Sequence, residues 1–295
     1  MKEKITLFDV VSTIFVILVI LVSVLPFVYV ISASFNSGAD YMKGGVYFFP
    51  RKFSLDSYKT IFQDSRLFYG LFNSSLRTII GPFIHTFLCA VVAYAMAHPK
   101  LKARKFYYWA NTIPMFFSGG LIPFYLVLKY LGLVNTFWVY IFPAAYSVWN
   151  MITIQVFFGG LPSELRESGY LDGAGEFKIF WRIYMPCAPA ALATVFLWNA
   201  VYHWNSFFDG LFYNSNEKLM LLQEYLYKLV QETSLVQIQN AITFLPESSA
   251  NIALDASIRT IQSAAVVISM LPVLIIFPLI KKYFVVGVTA GSVKS

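Results

Sequence analysis

Charge is what this chain has least of. Asp, Glu, Lys and Arg supply 13% of its 295 residues, about half the ~25% usual in soluble domains. Apolar residues supply 58%, with 29 Phe and 19 Tyr in the chain. A soluble fold of that composition has too little polar surface to cover itself. This excludes an ordinary cytosolic enzyme, a disordered chain and a nucleic-acid binder. Cysteine is nearly absent too: Cys89 and Cys187 each lie in or beside an apolar stretch, and two such residues build no disulfide framework. Catalytic patterns are missing. The chain has no G-x-x-x-x-G-K-[ST] phosphate cradle, no H-E-x-x-H, no paired C-x-x-C and no G-x-S-x-G elbow. His85, His98 and His203 are far apart in sequence. No nucleotide site, metal site or catalytic group of the chain's own is expected.

Long apolar sequence is what remains. Six stretches are long enough to cross a bilayer, which takes about 20 helical residues. They run approximately over Leu7–Ile31, Leu71–Ala97, Tyr107–Leu131, Phe137–Phe158, Ala188–Phe212 and Ile261–Ile280. A helix satisfies its own backbone in lipid, and the ~10-residue alternation of a barrel is not visible. The expected fold is an all-α integral membrane protein with six transmembrane helices, a single membrane domain over residues 1–295 without internal repeats. Lys2 and Lys4 could open a signal peptide, but the apolar run after them is about 25 residues, against 7–15 for an h-region.

Orientation follows the basic residues. With the N-terminus inside, the inner side receives Lys2, Lys4, Lys100, Lys102, Arg104, Lys105, Arg166, Lys178, Arg182, Lys281, Lys282 and Lys294. Their density is roughly twice that of the outer side, so both termini are expected in the cytoplasm. Two outer segments are long, 36–69 and 213–260. In the first, Ser54 is placed to cap a short helix. In the second, Leu219, Leu222, Leu226, Leu229 and Val230 recur at helical spacing beside Glu224, Lys228 and Glu232, which reads as a packed or interfacial amphipathic helix.

The longest inner loop, 161–186, reads as two short helices around a turn. Ser163 is placed to cap the first, with Glu164 in its first turn. Asp172-Gly173 is a breaker pair, glycine tolerating a positive φ. Phe177, Phe180 and Ile183 form an apolar stripe on the second helix, and Pro186 limits it.

Glu167-Ser-Gly-x-x-Asp172-Gly173-Ala174, followed by Ile183-x-x-Pro186, resembles the EAA loop of ATP-binding-cassette (ABC) importer permeases. Nine residues separate Gly173 from Ile183, as that pattern requires, and Ser168-Gly169 replace the usual Ala-Ala. Ser118-Gly-Gly-Leu-Ile-Pro123, Leu131-Gly-Leu-Val-Asn135-Thr136, His203-Trp-Asn-Ser206 and the tail Lys282–Lys294 are similar to the LplC/YtcP-type subgroup. That subgroup lies within the carbohydrate, maltose-transporter-like class. The resemblance implies an importer-permease fold in the bacterial cytoplasmic membrane. It implies a second permease subunit, two cytoplasmic ATPase subunits that hold the ATP and magnesium, and an extracytoplasmic sugar-binding protein. The EAA loop would dock on the ATPase. Glu167 would be the polar anchor, Asp172, Gly173 and Ala174 the corner, and Ile183 with Pro186 the hinge into the fifth span.

Polar residues at membrane depth are costly and usually face a cavity or a neighbouring helix. The fifth span carries Asn199, His203, Ser206 and Gly210 on one helical face, with Trp198, Trp204 and Asn205 nearby. Aromatic faces beside amides suit sugars, and Asn111, Asn150 and Gln155 are further candidates for a substrate path. Interhelical hydrogen bonding is the competing role for each. The alternative function is an ion-gradient-driven carrier or channel. It would need intramembrane acids, and the first four spans hold no clear one once Asp9 at the inner edge is set aside. A polytopic enzyme would need the catalytic constellation that is missing.

Overall fold

The computed structural model describes residues 6–231 and 258–275. Lys2, Lys4, Lys281, Pro278, the Lys282–Lys294 tail and residues 232–257 of the segment 213–260 lie outside the described residues. The helices are α1 (Leu7–Ser34), α2 (Gly38–Tyr41), α3 (Asp56–Gln63), α4 (Ser65–Ala97), α5 (Arg104–Phe116) and α6 (Leu121–Tyr130). Two 3-10 turns, Phe137–Tyr140 and Phe142–Ala144, precede α7 (Val148–Gly159), α8 (Glu164–Leu171) and α9 (Glu176–Ile179). A π-helical turn, Phe180–Tyr184, runs into α10 (Met185–Cys187), followed by α11 (Pro189–Asn205) and α12 (Phe208–Tyr213). Residues 222–231 (α13) and 258–275 (α14) complete the set. The chain forms two compact units, Met1–Leu67 with Leu226–Val273, and Phe68–Tyr225 with Leu274–Ser295.

In the first unit, α1 opens with a capping box. The Thr6 hydroxyl accepts the Asp9 amide at 3.3 Å, and the Asp9 carboxylate accepts the Thr6 amide at 2.8 Å. Asp9 thus acts as a cap. The rest of α1 exposes Ile14, Leu18, Leu21, Leu25 and their neighbours, a far larger apolar surface than a soluble chain leaves open. After α1 the outer segment is folded rather than loose. Asn36 and Phe53 pair as an isolated antiparallel bridge, and the Asn36 amide and Arg51 guanidinium both donate to Asp40. The Asn36 hydrogen bond and the Arg51 charge hold the Asp40 carboxyl below its ordinary range, against the opposing effect of its desolvation. Ser54 caps α3 in part: its hydroxyl accepts the Asp56 amide at 3.0 Å, while Leu55 occupies the N-cap position.

The second unit carries the chemistry, and here three expected spans prove interrupted. Three helices, α1, α4 and α14, are long and apolar enough to cross a membrane unbroken, and there are up to six crossings if each of three bent pairs counts as one. α5 and α6 meet at 117°. Pro114 lies near the end of α5 and Gly120, at φ +84°, carries the corner, a conformation that favours glycine. The 3-10 turns and α7 meet at 51°, and the segment 176–187 meets α11 at 84°. That last hinge is not Pro186, which sits inside α10, but Ala188 (φ −122°, ψ 41°). The ring of Pro189 disfavours helical backbone at the residue before it. α11 then stops at Asn205, with Ser206 extended. The face proposed to run from Asn199 through Gly210 is therefore split between α11 and α12.

Asn135, at φ +61°, anchors the Leu131–Thr136 motif. Its side-chain oxygen accepts the Ser215 amide at 2.7 Å, and its own amide donates to the Tyr213 carbonyl. In α13, Leu222, Glu224 and Tyr225 are buried. Of the expected apolar face, Leu222 is buried, Leu226 and Leu229 are half-buried and Val230 is exposed, while Glu224, expected on the polar face, is inside.

Candidate functional site: the elbow and the polar cavity

The elbow is built from α8, a corner, and α9 with its π-helical extension. Ser163 stands at the N-cap of α8, but its backbone is helical and its hydroxyl makes no cap bond. Glu164 and Glu167 lie in the first turn, where acids favour the dipole. The C-terminus closes in a Schellman motif: Ala174 N–H donates to the Gly169 carbonyl at 2.9 Å, and Gly173 N–H to Tyr170 at 3.0 Å. Gly173 takes φ +71° with nothing near its missing Cβ, so the demand there is conformational. At Gly169 it is spatial. A Cβ would lie 3.0 Å from Ile179 Cγ1 and 3.1 Å from Ile183 Cδ1, so the departure from alanine allows the two short helices to close on each other.

The apolar stripe expected from Phe177, Phe180 and Ile183 is only partly buried, and a π turn begins at Phe180. Ile179, Phe180 and Tyr184 are buried, Ile183 is half-buried and Phe177 is exposed. The extra residue per turn rotates the following side chains relative to an α-helical register.

Two residues that sequence reasoning passed over fasten the elbow to α4. Arg166 is buried, its guanidinium carbon 4.9 Å from the ring centres of both Tyr94 and Tyr184, a paired cation–π arrangement. Glu176 accepts hydrogen bonds from the Tyr94 and Tyr170 hydroxyls and lies 3.2 Å from His98 Nε2. Burial alone would raise the Glu176 carboxyl. The tyrosine hydroxyls and His98 outweigh that and hold it below its ordinary value. The same contact pushes the Tyr170 hydroxyl up. Glu167, Leu171, Asp172 and Gly173 remain exposed, Leu171 by 88%. The elbow is thus braced on one side and bare on the other.

Farther along α4, a cavity of about 270 Å³ opens between α4, α7 and α11, lined among others by His85, Tyr146, Asn150, Trp198, Asn199 and Tyr202. His85 Nδ1 lies 2.6 Å from the Ala144 carbonyl, which can only accept, so that nitrogen carries the proton. Nε2 then accepts from Asn150 Nδ2 at 2.8 Å. Asn111 accepts from the Tyr146 hydroxyl at 2.6 Å. Of the expected path residues, Asn150 and Asn199 line the cavity, and Asn111 reaches it through Tyr146. Gln155, Trp204 and Asn205 are not among its lining residues. Trp204 is buried, and Asn205 donates back to the Val201 carbonyl at 2.9 Å.

His203 lies one turn beyond Asn199 on α11. It packs against Gly81, where a Cβ would come within 2.2 Å of its Nε2, and its Nδ1 accepts from Arg77 Nε at 3.1 Å. Arg77 is fully buried, 5.0 Å over the Tyr140 ring, and its Nη2 donates to Asp209 at 2.8 Å. Ser206 donates to the same carboxylate at 3.0 Å. His203 therefore has charged company that the sequence analysis did not assign. The signal was available: Arg77 and Asp209 both fall within apolar stretches, and an ionisable residue at membrane depth is a functional flag in itself.

Set against known proteins, residues 90–290 match the family described as the inner membrane component of binding-protein-dependent transport systems. The chain belongs to this family. The permease is 35% identical to Protein LplC of Bacillus subtilis (strain 168) over 97% of its own length and 95% of the relative's. It is 33% identical to the polygalacturonan/rhamnogalacturonan transport system permease protein YtcP of the same organism, over the full length of both. Among solved structures it resembles a chain of a bacterial ABC transporter involved in the import of the acidic polysaccharide alginate. The TM-score is 0.83 at 26% identity, covering 96% of this permease and 100% of that chain. The permease is a membrane protein with the fold of an ABC importer permease.

Proposed function

We propose that this chain is the membrane-spanning subunit of an ATP-driven importer that carries a sugar or oligosaccharide across the bacterial cytoplasmic membrane. The observation that carries the reading is the elbow itself. A short helix with an exposed face, braced from behind by Arg166 and Glu176, passes on a push that a flexible loop would absorb. ATP hydrolysis elsewhere can shift the access equilibrium only if the ATPase binds this face differently in its two states.

In this reading the chain is one permease domain with both termini in the cytoplasm and six crossings, the elbow lying outside them. A second, different permease chain completes the pathway, two ATPase subunits hold the ATP and magnesium, and an extracytoplasmic binding protein delivers the sugar. Glu167 anchors to the ATPase, while Asp172, Gly173 and Ala174 set the corner. Ile183 packs the second arm, and the hinge stands at Ala188 rather than at Pro186. The cavity with Asn111, Asn150 and Asn199 belongs to the sugar path, and His203 braces it.

The test is reconstitution of the complete transporter. Gly173→Pro, which cannot take φ +71°, and Glu167→Lys are expected to leave the subunit in the membrane and to uncouple ATP hydrolysis from uptake. Undiminished uptake in both variants would refute the assignment. An ion-gradient-driven carrier would need an acid such as Asp209, but that charge is held by Arg77 at 2.8 Å. Vesicle uptake that follows a proton or sodium gradient instead of ATP would favour the carrier.

A further inference from the structure

The cavity between α4, α7 and α11 is polar without being charged. Two amides (Asn150, Asn199), three hydroxyls (Tyr146, Ser147, Tyr202) and a tryptophan face line it together with His85. With Nδ1 donating to the Ala144 carbonyl and Nε2 accepting from Asn150, His85 has the donor and acceptor pattern of a neutral imidazole. No lining residue carries a formal charge. Arg77, on α4, is not among the lining residues: its Nε donates to His203 and its Nη2 to Asp209.

One group in the lining is unspent. Asn199 is 5% exposed, and its side-chain oxygen has no hydrogen-bond partner among the described residues. A buried amide oxygen left without a donor is costly, and a hydroxyl from a ligand would satisfy it. Trp198, 42% exposed, offers a ring face beside it. The volume, about 270 Å³, lies just under the ~300 Å³ at which small-molecule pockets begin. That is room for one ring rather than a chain.

We infer that this cavity is a subsite for a single uncharged sugar ring, with its hydroxyls read by Asn199 and Asn150 and its C–H face laid on Trp198, and that it rejects a uronate at the same position. The inference rests on the importer reading and specifies the cargo. Burying a carboxylate without a cation costs several kcal/mol; this lining holds no cation, and its unpartnered buried atom, the Asn199 oxygen, is an acceptor that a hydroxyl satisfies and a carboxylate does not. A similar importer carries the acidic polysaccharide alginate, so the fold leaves the charge of the cargo open and the lining decides it.

A matched pair of probes tests this. α-1,4-Galactotriose and α-1,4-trigalacturonate differ only at C6, a hydroxymethyl in one and a carboxylate in the other. Saturation-transfer NMR is recorded on the complete permease–ATPase complex without its binding protein, for the wild type and for Asn199→Leu and Asn150→Leu. Galactotriose is expected to give a signal that falls about fivefold in each variant, the effect of one lost hydrogen bond. Trigalacturonate is expected to give no variant-sensitive signal. Because the partner permease is unchanged between samples, only the difference between wild type and variants reports on this cavity. The inference is overturned if the two probes depend equally on Asn199 and Asn150. It is also overturned if galactotriose is indifferent to both variants, or if neither probe gives a signal. ATP-driven uptake by the same complex is measured in parallel. If uptake follows ATP while the cavity is silent, the subsite fails alone; if uptake ignores ATP, the importer reading fails.

Discussion

α4 is held at two places, at Arg77 in its first half and at Tyr94 in its last turn, and the two are built on different principles. At the Arg77 end the polar groups are charged and sealed: a fully buried guanidinium, a carboxylate that is 17% exposed and an imidazole packed against Gly81. At the Tyr94 end the partners are tyrosine hydroxyls and a histidine around Glu176, whose side chain is half open to solvent. A sealed ion pair costs much to assemble and much to break. A clasp near the surface is cheap in both directions. The sealed end suits a fixed pivot, and the open end suits a joint that must answer to a partner.

The comparison breaks most sharply at Arg77. Arg77→Met leaves Asp209 without its cation and is expected to destabilise the subunit by about 3 kcal/mol. Arg77→Met combined with Asp209→Leu recovers most of that loss. Thermal unfolding in detergent reads both, and a double variant as unstable as the single would show that the pair is not a unit.

An intermediate effect is expected at the closest approach inside the elbow. Gly169→Leu overpacks the contact with Ile179 and Ile183 and costs about 2 kcal/mol. Gly169→Ala comes out near zero, because a helix-propensity gain of up to about 1 kcal/mol offsets the tight contact. Amide hydrogen exchange across 164–184 distinguishes them; equal protection in both variants would show that the arms are not in close contact.

The smallest effect belongs to the clasp. Glu176→Gln replaces an acceptor of two tyrosine hydroxyls with an amide that accepts through one atom, a loss of about 1 kcal/mol. The folded Glu176 carboxyl lies below its unfolded value, so its stabilisation is complete above the ordinary carboxylate range. It disappears as pH falls through the depressed folded value. Wild type and Glu176→Gln should therefore differ in melting temperature at neutral pH and converge only at acid pH. A gap that closes on raising the pH would contradict the clasp.

Much of this was legible in the residue order. The apolar runs located α1, α4 and α14, and Asp172-Gly173 marked a corner that the Schellman bonds then supplied. The Leu131–Thr136 motif proved to be a turn whose asparagine ties two loops. The interruptions were harder to read, because hydropathy averages over 19 residues and does not register a 117° bend at Gly120. The π turn at Phe180–Tyr184 leaves no compositional trace, and Phe177, just before it, stands outside the buried face. Arg166 and Glu176 looked like solvated loop charges. Their partners outside the elbow, Tyr94 and His98, lie more than 60 residues earlier in the chain, and no local pattern connects them.

Composition and spacing by themselves determined that the chain dissolves in lipid, where its backbone must turn helical, and that one loop carries a corner at Asp172-Gly173. Tertiary structure alone decided which polar groups meet. A helix places a residue on a face by its number, but a cavity or an ion pair needs two or three faces to coincide. That coincidence depends on bends at Gly120 and Ala188 and on the missing side chains of Gly81 and Gly169.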